Sequence, residues 1–461
     1  MLNNIQIKLN SRISRFLLIL LLPIAIVFNS CGDDGGVTPV NDGSTQPFEN
    51  IPATEDIVMY EVNFRAFSSS GDFKGVTDKL DHIKSLGVNV IWLMPIHPIG
   101  NVNSVNSPYS VKNYKEVNPE LGNLDDFKKL VNESHKKDMA VIIDWVANHT
   151  AWDNPWIQNK AWYTQNASGN IIIPPGTNWQ DVADLNFDNE EMRLEMIDAL
   201  KYWVTELNVD GFRCDAADFV PYSFWRQAID SLENIDDRQL IYLAEGARTD
   251  HYNAGFQMTY SWDFYGKLKN VFINKYNASS IFSTHTNEYK IVPEGKHKLR
   301  FITNHDESAW DETPVDLFGG TNGSFSAFII STYLGGVPLI YGSQEFGIEG
   351  NVSFFDNVPF NWSSNPELLK DYQKLMSIYN KSDVLRKGNL KTFSDPDIAA
   401  FTKAIGNEEF LILVNVRNRF ITYSLPNDLK GTNWTDEFNG ESISLDADLE
   451  FDPFQFYILK K

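Results

Sequence analysis

Three acidic residues stand where chemistry could be done: Asp215 in GFRCD, Glu245 in IYLAEG and Asp306 in FITNHDE. A fourth acid, Asp144, lies in IIDWVANH. Each segment puts its carboxylate at or near the end of an apolar run, and such runs read as buried parallel strands. Strands of one barrel end at one rim, so Asp215, Glu245 and Asp306 would converge there from about 90 residues of sequence. Convergent carboxylates are what nucleophilic and acid/base chemistry at a glycosidic bond requires.

The residue types sort into roles. Arg213 lies two positions before Asp215, on the same side of a strand. Its charge and hydrogen bonds are expected to keep Asp215 ionised, and an ionised, oriented carboxylate is a competent nucleophile for a sugar carbon. The plainer reading of that pair is a structural contact at a barrel rim. Glu245 must be protonated near neutrality to serve a leaving oxygen, which apolar walls and neighbouring carboxylates favour; alone it could be a solvated loop acid. Asp306 can hold sugar hydroxyls more tightly as positive charge develops on the ring. His149 and His305 each stand beside an Asn and can donate to hydroxyls.

The elements that must position these residues follow from the pattern. Eight strands are predicted over residues 57–64, 88–94, 140–145, 209–214, 239–244, 256–262, 299–303 and 337–341. Amphipathic helices alternate with most of them, over 124–137, 190–207 and 366–381 among others. This is α/β architecture, a (β/α)8 TIM barrel over residues 51–385. The connection over about 150–189 follows the third strand, is rich in Trp, Asn and Pro, and is too long for a plain loop. It reads as a short insert subdomain over the rim. Residues 386–461 change to short alternating strands, predicted to form an all-β sandwich domain.

Composition narrows the partners. A formal charge of −22 argues against nucleic acid and fits a neutral substrate. Twelve Trp give the chain aromatic surface on which pyranose rings can stack, although a large barrel core would use them as well. Residues 1–30 read as a signal peptide, with basic Lys8, Arg12 and Arg15 before an apolar run too short for a comfortable span. Cys31 follows Asn29 and Ser30, as at a bacterial lipoprotein cleavage site, and residues 31–50 read as a flexible tether. The resulting expectation is an exported protein anchored at Cys31 on the outer membrane or cell surface by acyl chains alone; periplasmic or secreted protein is the alternative. An enzyme so placed would pass oligosaccharides to a glycan-uptake system. Cys214, the other cysteine, is expected to be a core residue, and no disulfide is expected.

Taken together, the four segments resemble the conserved regions of glycoside hydrolase family 13, the α-amylase family. VADLN, residues 182–186, resembles its shorter fifth region. The acidic pair Asp33 and Asp34 after Cys31 resembles the sorting signal of surface lipoproteins. The family resemblance implies that Asp215 is the nucleophile, Glu245 the general acid/base and Asp306 the transition-state stabiliser. It implies that Arg213 orients Asp215, that His149 and His305 bind the sugar at the cleavage subsite, that Tyr109 is an aromatic platform beneath it, and that Asp144 has a structural role. It also implies Ca2+ between barrel and insert, through Asn148 and Asp184, although the position where some members add a His is Phe219. No spacing suits zinc, a nucleotide or another organic cofactor. The implied function is a retaining α-glucan hydrolase cleaving α-1,4 bonds of starch or maltodextrins. The alternatives are a cyclomaltodextrinase, neopullulanase or α-glucan transglycosylase, and, in another class, an inactive sugar-binding barrel.

Overall fold

Ten strands lead the chain: β1 (Met59–Val62), β2 (Val90–Leu93), β3 (Ala140–Val146), β4 (His149–Ala151), β5 (Val182–Asp184), β6 (Gly211–Asp215), β7 (Ile241–Ala244), β8 (Met258–Tyr260), β9 (His297–Arg300) and β10 (Val337–Tyr341). They belong to a computed structural model that describes residues 46–461. The expected signal peptide, Cys31 and residues 31–45 of the expected tether lie outside the described residues. Eight of the ten strands close into a parallel barrel in the order β1-β10-β9-β8-β7-β6-β3-β2. Apart from His297, every residue of these eight is buried, as expected when helices cover the outer face and side chains fill the inside.

The helices begin where capping chemistry allows. Asn123 and Asp126 form a reciprocal capping box at the helix Leu124–His135. Asn189 caps Glu190–Leu207 through the Met192 N–H, and Asn365 precedes Pro366 at the first position of Pro366–Lys381. The seventh barrel strand lies earlier than the sequence pattern suggests, at 297–300 instead of 299–303. Its polar start is buried by specific partners: Lys298 donates to Thr259 at 2.8 Å and Arg300 pairs with Glu288 at 2.6 Å. Hydrophobic periodicity does not register such pairing.

Between β3 and the helix Glu190–Leu207 the chain makes its excursion. β4 and β5 pair antiparallel there, with His149 opposite Asp184. Beyond the barrel the chain forms β11 (Asn389–Phe393), β12 (Ile398–Ile405), β13 (Glu408–Asn415), β14 (Ile421–Tyr423), β15 (Asn433–Asp436), β16 (Ser442–Ser444), β17 (Leu449–Phe451) and β18 (Phe456–Lys460). Six make an antiparallel sheet in the order β11-β12-β13-β18-β15-β16, and β14 pairs with β17. Alternation along β13 decides the packing. Phe410, Ile412 and Val414 join the barrel's hydrophobic core, whereas Leu411 and Leu413 face a second core with Tyr423 of β14 and Phe451 of β17. The sheets thus sandwich one core and share the other with the barrel.

Candidate active site

The site starts with a backbone constraint. Gly211, the first residue of β6, has φ +150°, and a Cβ there would lie 2.0 Å from the Ile241 carbonyl oxygen of β7. Only glycine permits this approach. It sets the register in which Cys214 sits opposite Ala244, so that Asp215 ends β6 and Glu245 follows β7. Ala216 then takes the left-handed conformation, φ 43° and ψ 41°, a strain of about 1 kcal/mol for a residue with a Cβ. The turn aims the Ala216 N–H at Glu245 Oε2, 2.7 Å away.

One guanidinium organises the acids. Arg213 is fully buried. Its Nη1 donates to Asp215 Oδ1 at 2.9 Å and to Asp144 Oδ1 at 2.8 Å, and its Nε donates to the Tyr260 hydroxyl at 3.2 Å. Its Nη2 stands 2.9 Å from Glu245 Oε2 as an ion pair, off the axis of a hydrogen bond. Asp144 is saturated: besides Arg213 it accepts from the Tyr109 hydroxyl at 3.0 Å and the Trp92 indole at 3.3 Å, with no exposure. Asp215 and Glu245 differ from Asp144 in a way that matters for reaction. Each has one oxygen held, Oδ1 and Oε2, and one, Oδ2 and Oε1, to which no described residue hydrogen-bonds. Both residues line a pocket of about 420 Å3 at the rim.

Asp306 enters the pocket from the first turn of the helix His305–Trp310, which Asn304 caps. His305 Nε2 stands 2.7 Å from the Tyr109 hydroxyl and 3.4 Å from Asp306 Oδ2. Its Nδ1 meets Glu61 Oε1 at 2.5 Å, and the Tyr109 ring stacks on it. His149 lines the pocket from β4. The structure therefore brings Asp215, Glu245, Asp306, Tyr109, His149 and His305 to one pocket with Arg213 behind them. Asn148 and Asp184 sit apart, in a neighbouring pocket of about 320 Å3 that Phe219 also lines.

The charge balance differs from the sequence expectation for Asp215. Burial, and after it the charges of Glu245, Asp144 and Asp306, push its carboxyl well above the usual range, with Arg213 pulling the other way. One guanidinium shared among several carboxylates does not neutralise them. Burial, opposed by Arg213, raises Asp144 to about 6. Asp306 is raised to about 7 by burial and then by Glu245. Burial lowers His149 to about 4, leaving it neutral at pH 7.

Several residues here were not singled out from the sequence. Glu61 was marked only by being an acid inside the apolar strand MYEV. Trp179, Asp181 and Phe355 line the pocket from long connections, and Trp310 from the end of the short helix His305–Trp310, where nothing in local spacing separates a pocket residue from its neighbours.

Comparison with known proteins agrees with this geometry. The family model "Alpha amylase, catalytic domain" matches residues 40–175 and 159–264. Alpha-amylase 3 of Dictyoglomus thermophilum is 26% identical over 454 residues, covering 83% of this chain and 89% of the relative. The crystal structure of a maltogenic alpha-amylase from Thermotoga neapolitana superposes with a TM-score of 0.79 at 26% identity, covering 89% of this chain and 99% of that one. An alpha-amylase from Lactobacillus plantarum gives a TM-score of 0.79 at 28% identity, with the same coverage.

Proposed function

The chain belongs to the alpha-amylase family and is a glycoside hydrolase of α-glucans, and from that premise we propose that it cleaves α-1,4-glucosidic bonds by double displacement with retention. The observation that carries the reading is the pair of half-tethered carboxylates. The free Oδ2 of Asp215 attacks the anomeric carbon while the free Oε1 of Glu245 gives a proton to the leaving oxygen. Arg213 holds the other oxygen of each, which fixes their aim without occupying the reacting atoms. The glycosyl ester on Asp215 is then released by water that Glu245 deprotonates. The reaction needs one proton on Glu245 and none on Asp215, and a cluster this crowded titrates as a unit. Asp306, His149 and His305 hold hydroxyls of the reacting ring, with Tyr109 against it. The second reading is a cyclomaltodextrinase, neopullulanase or α-glucan transglycosylase, which the same pair of carboxylates would serve.

Two further proposals concern the setting. Asn148 and the carboxylate of Asp184 would hold Ca2+, an oxygen-seeking ion. Burial raises Asp184, opposed by a hydrogen bond from the Thr164 side chain, and no ion pair to it occurs among the described residues. The ion would pin β5 beside His149 and take no part in bond cleavage. Lipidation at Cys31 would place the enzyme on the cell surface, handing oligosaccharides to an uptake system.

The experiment is a product profile on amylose, cyclodextrin and pullulan with Asp215→Asn as control. Hydrolysis of amylose that the variant loses by several orders of magnitude, with unchanged unfolding, is the expected result. Full turnover by the variant, free of wild-type protein, would remove Asp215 from its role.

A further inference from the structure

Glu245 stands one residue past the end of β7, outside the strand. Its own N–H donates to the Cys214 carbonyl at 3.0 Å, and the Ala217 N–H donates to its carbonyl at 2.9 Å. The residues that follow it are held by side chains. The N–H groups of Ala247 and Arg248 both donate to the Asp218 carboxylate, on the loop after β6, at 3.0 and 3.3 Å. His251, in the helix Asp250–Ala254, places Nε2 2.6 Å from Asp218 Oδ1. Facing a carboxylate, that nitrogen is the donor.

The grip is returned by Arg248. Its Nη1 donates to the carbonyls of Asp218 and Val220 at 2.9 and 3.0 Å, while Nε and Nη2 donate to Asp250 at 3.0 and 2.8 Å. Each loop thus satisfies polar groups of the other. Gly246 makes the room: a Cβ there would lie 2.3 Å from Asp218 Oδ1 and 2.8 Å from His251 Nε2.

Asp218 lines the pocket, yet its bonds run away from it. Three donors take most of the roughly four acceptor positions of a carboxylate. Asp215 and Glu245, by contrast, each keep one oxygen free. Burial by itself would raise Asp218, but the hydrogen bonds from His251 and from the two N–H groups outweigh it and hold the carboxyl below its usual range. Asp218 is therefore charged at neutral pH and no proton donor. His251 is fully buried and does not line the pocket, so it reaches the reaction only through Asp218.

We propose that Asp218 and His251 clasp the two catalytic loops together and so aim Glu245, which makes them positioning residues for proton transfer to the leaving oxygen. The proposal rests on the double-displacement reading and names what its acid/base depends on. The Ala216 N–H and Arg213 fix Oε2 of Glu245; the clasp fixes the backbone from which that side chain springs. A shift of about 1 Å in a reacting group costs on the order of 100-fold in rate. Asp215 ends β6 itself and is bonded to Arg213, so it keeps its place when the clasp opens. The clasp should matter for a leaving group that needs a proton and not for attack on the sugar.

The test compares kcat/KM on maltoheptaose, whose leaving oxygen needs a proton, with kcat/KM on α-maltosyl fluoride, whose fluoride departs as the anion. This ratio ends with the glycosyl-enzyme, so the later water step, which also uses Glu245, does not enter. The variants are His251→Leu, which removes a donor, and Gly246→Ala, which wedges the clasp with one methyl group and deletes no partner. Circular dichroism confirms their fold, and Gly246→Ala decides the matter if His251→Leu does not fold. On maltoheptaose each should lose about 10- to 100-fold, part of the 100- to 10,000-fold that general acid–base catalysis supplies, roughly; on the fluoride each should lose less than about threefold. Glu245→Gln should show the same split, more deeply. Equal losses on both substrates in the folded clasp variants, or no loss on maltoheptaose, would overturn the clasp while leaving Glu245 in its role. Equal losses on both substrates in Glu245→Gln would overturn the reading on which the clasp rests, and the clasp with it.

Discussion

Replacing Arg213 separates the two things its guanidinium does: carry charge and span oxygens. Nη1 serves Asp144 and Asp215 at 2.8 and 2.9 Å, while Nη2 stands 2.9 Å from Glu245. Arg213→Lys keeps the charge but offers one nitrogen, which cannot occupy both terminal positions, so at least one carboxylate loses its contact. A hydrogen bond to a charged group contributes about 1.5–3 kcal/mol. If that contact is felt in the transition state, kcat falls roughly 10- to 150-fold, while the acid limb of the pH profile stays in place. Arg213→Gln removes the charge. A neighbouring Arg lowers an Asp pKa by about 1–3 units. Its loss therefore raises Asp215, leaves less of it ionised at a given acidic pH, and moves the acid limb of kcat/KM upward by about that amount. The assay is kcat and kcat/KM on maltoheptaose across roughly pH 4–9, a range that spans the raised carboxylates of the site, with circular dichroism confirming the fold. Wild-type kcat in the lysine variant would refute the spanning argument. An unmoved limb in the glutamine variant would refute the electrostatic one.

Glu61→Gln, at the buried residue that meets His305 Nδ1, should lower kcat/KM roughly 10- to 100-fold through loss of a charge-assisted contact that orients the imidazole; a change within twofold would show that His305 is held by other means. Asp306→Asn should abolish most activity and raise Tm. Because the folded pKa is raised to about 7 from an unfolded value of about 3.9, the wild-type group contributes nothing unfavourable below the unfolded value and loses stability as pH rises through the folded one. The Tm gain should therefore be clear at alkaline pH, be tempered by solvent at this partly exposed side chain, and vanish near pH 4, a value of about the unfolded pKa; a gain independent of pH would argue against that cause. Chelation should lower Tm in the wild type and added Ca2+ restore it, with Asp184→Ala insensitive to both, as differential scanning fluorimetry can read. Cys31→Ser should move the protein from the membrane to the soluble fraction, and a variant that remains membrane-bound and acylated would end the lipoprotein proposal.

Much of the frame was legible because burial on both strand faces leaves unbroken apolar runs such as AVII and IYLA, and because Asn189, Asn365 and Pro366 mark helix starts. The convergence of Asp215, Glu245 and Asp306 followed from strand ends alone. What was hidden depends on distance in space. The upward push on Asp215 arises because Asp144, Glu245 and Asp306 crowd the same guanidinium, a balance that the local pair Arg213 and Asp215 does not show. β9 begins before its apolar stretch because Lys298 and Arg300 are buried by partners on other elements. Trp179 lies in a connection whose path is set by tertiary packing, so its place in the pocket becomes visible only in the folded chain.

The central claim is that the free oxygen of Asp215 forms a bond to the sugar. Trapping with a fluorinated α-glucosyl substrate whose slow second step lets the intermediate accumulate, followed by peptide mass mapping, tests it directly. The account predicts one glycosyl group esterified to Asp215, absent in Asp215→Asn. A glycosyl group on another residue, or steady turnover with no covalent intermediate and inversion at the anomeric carbon, would contradict it.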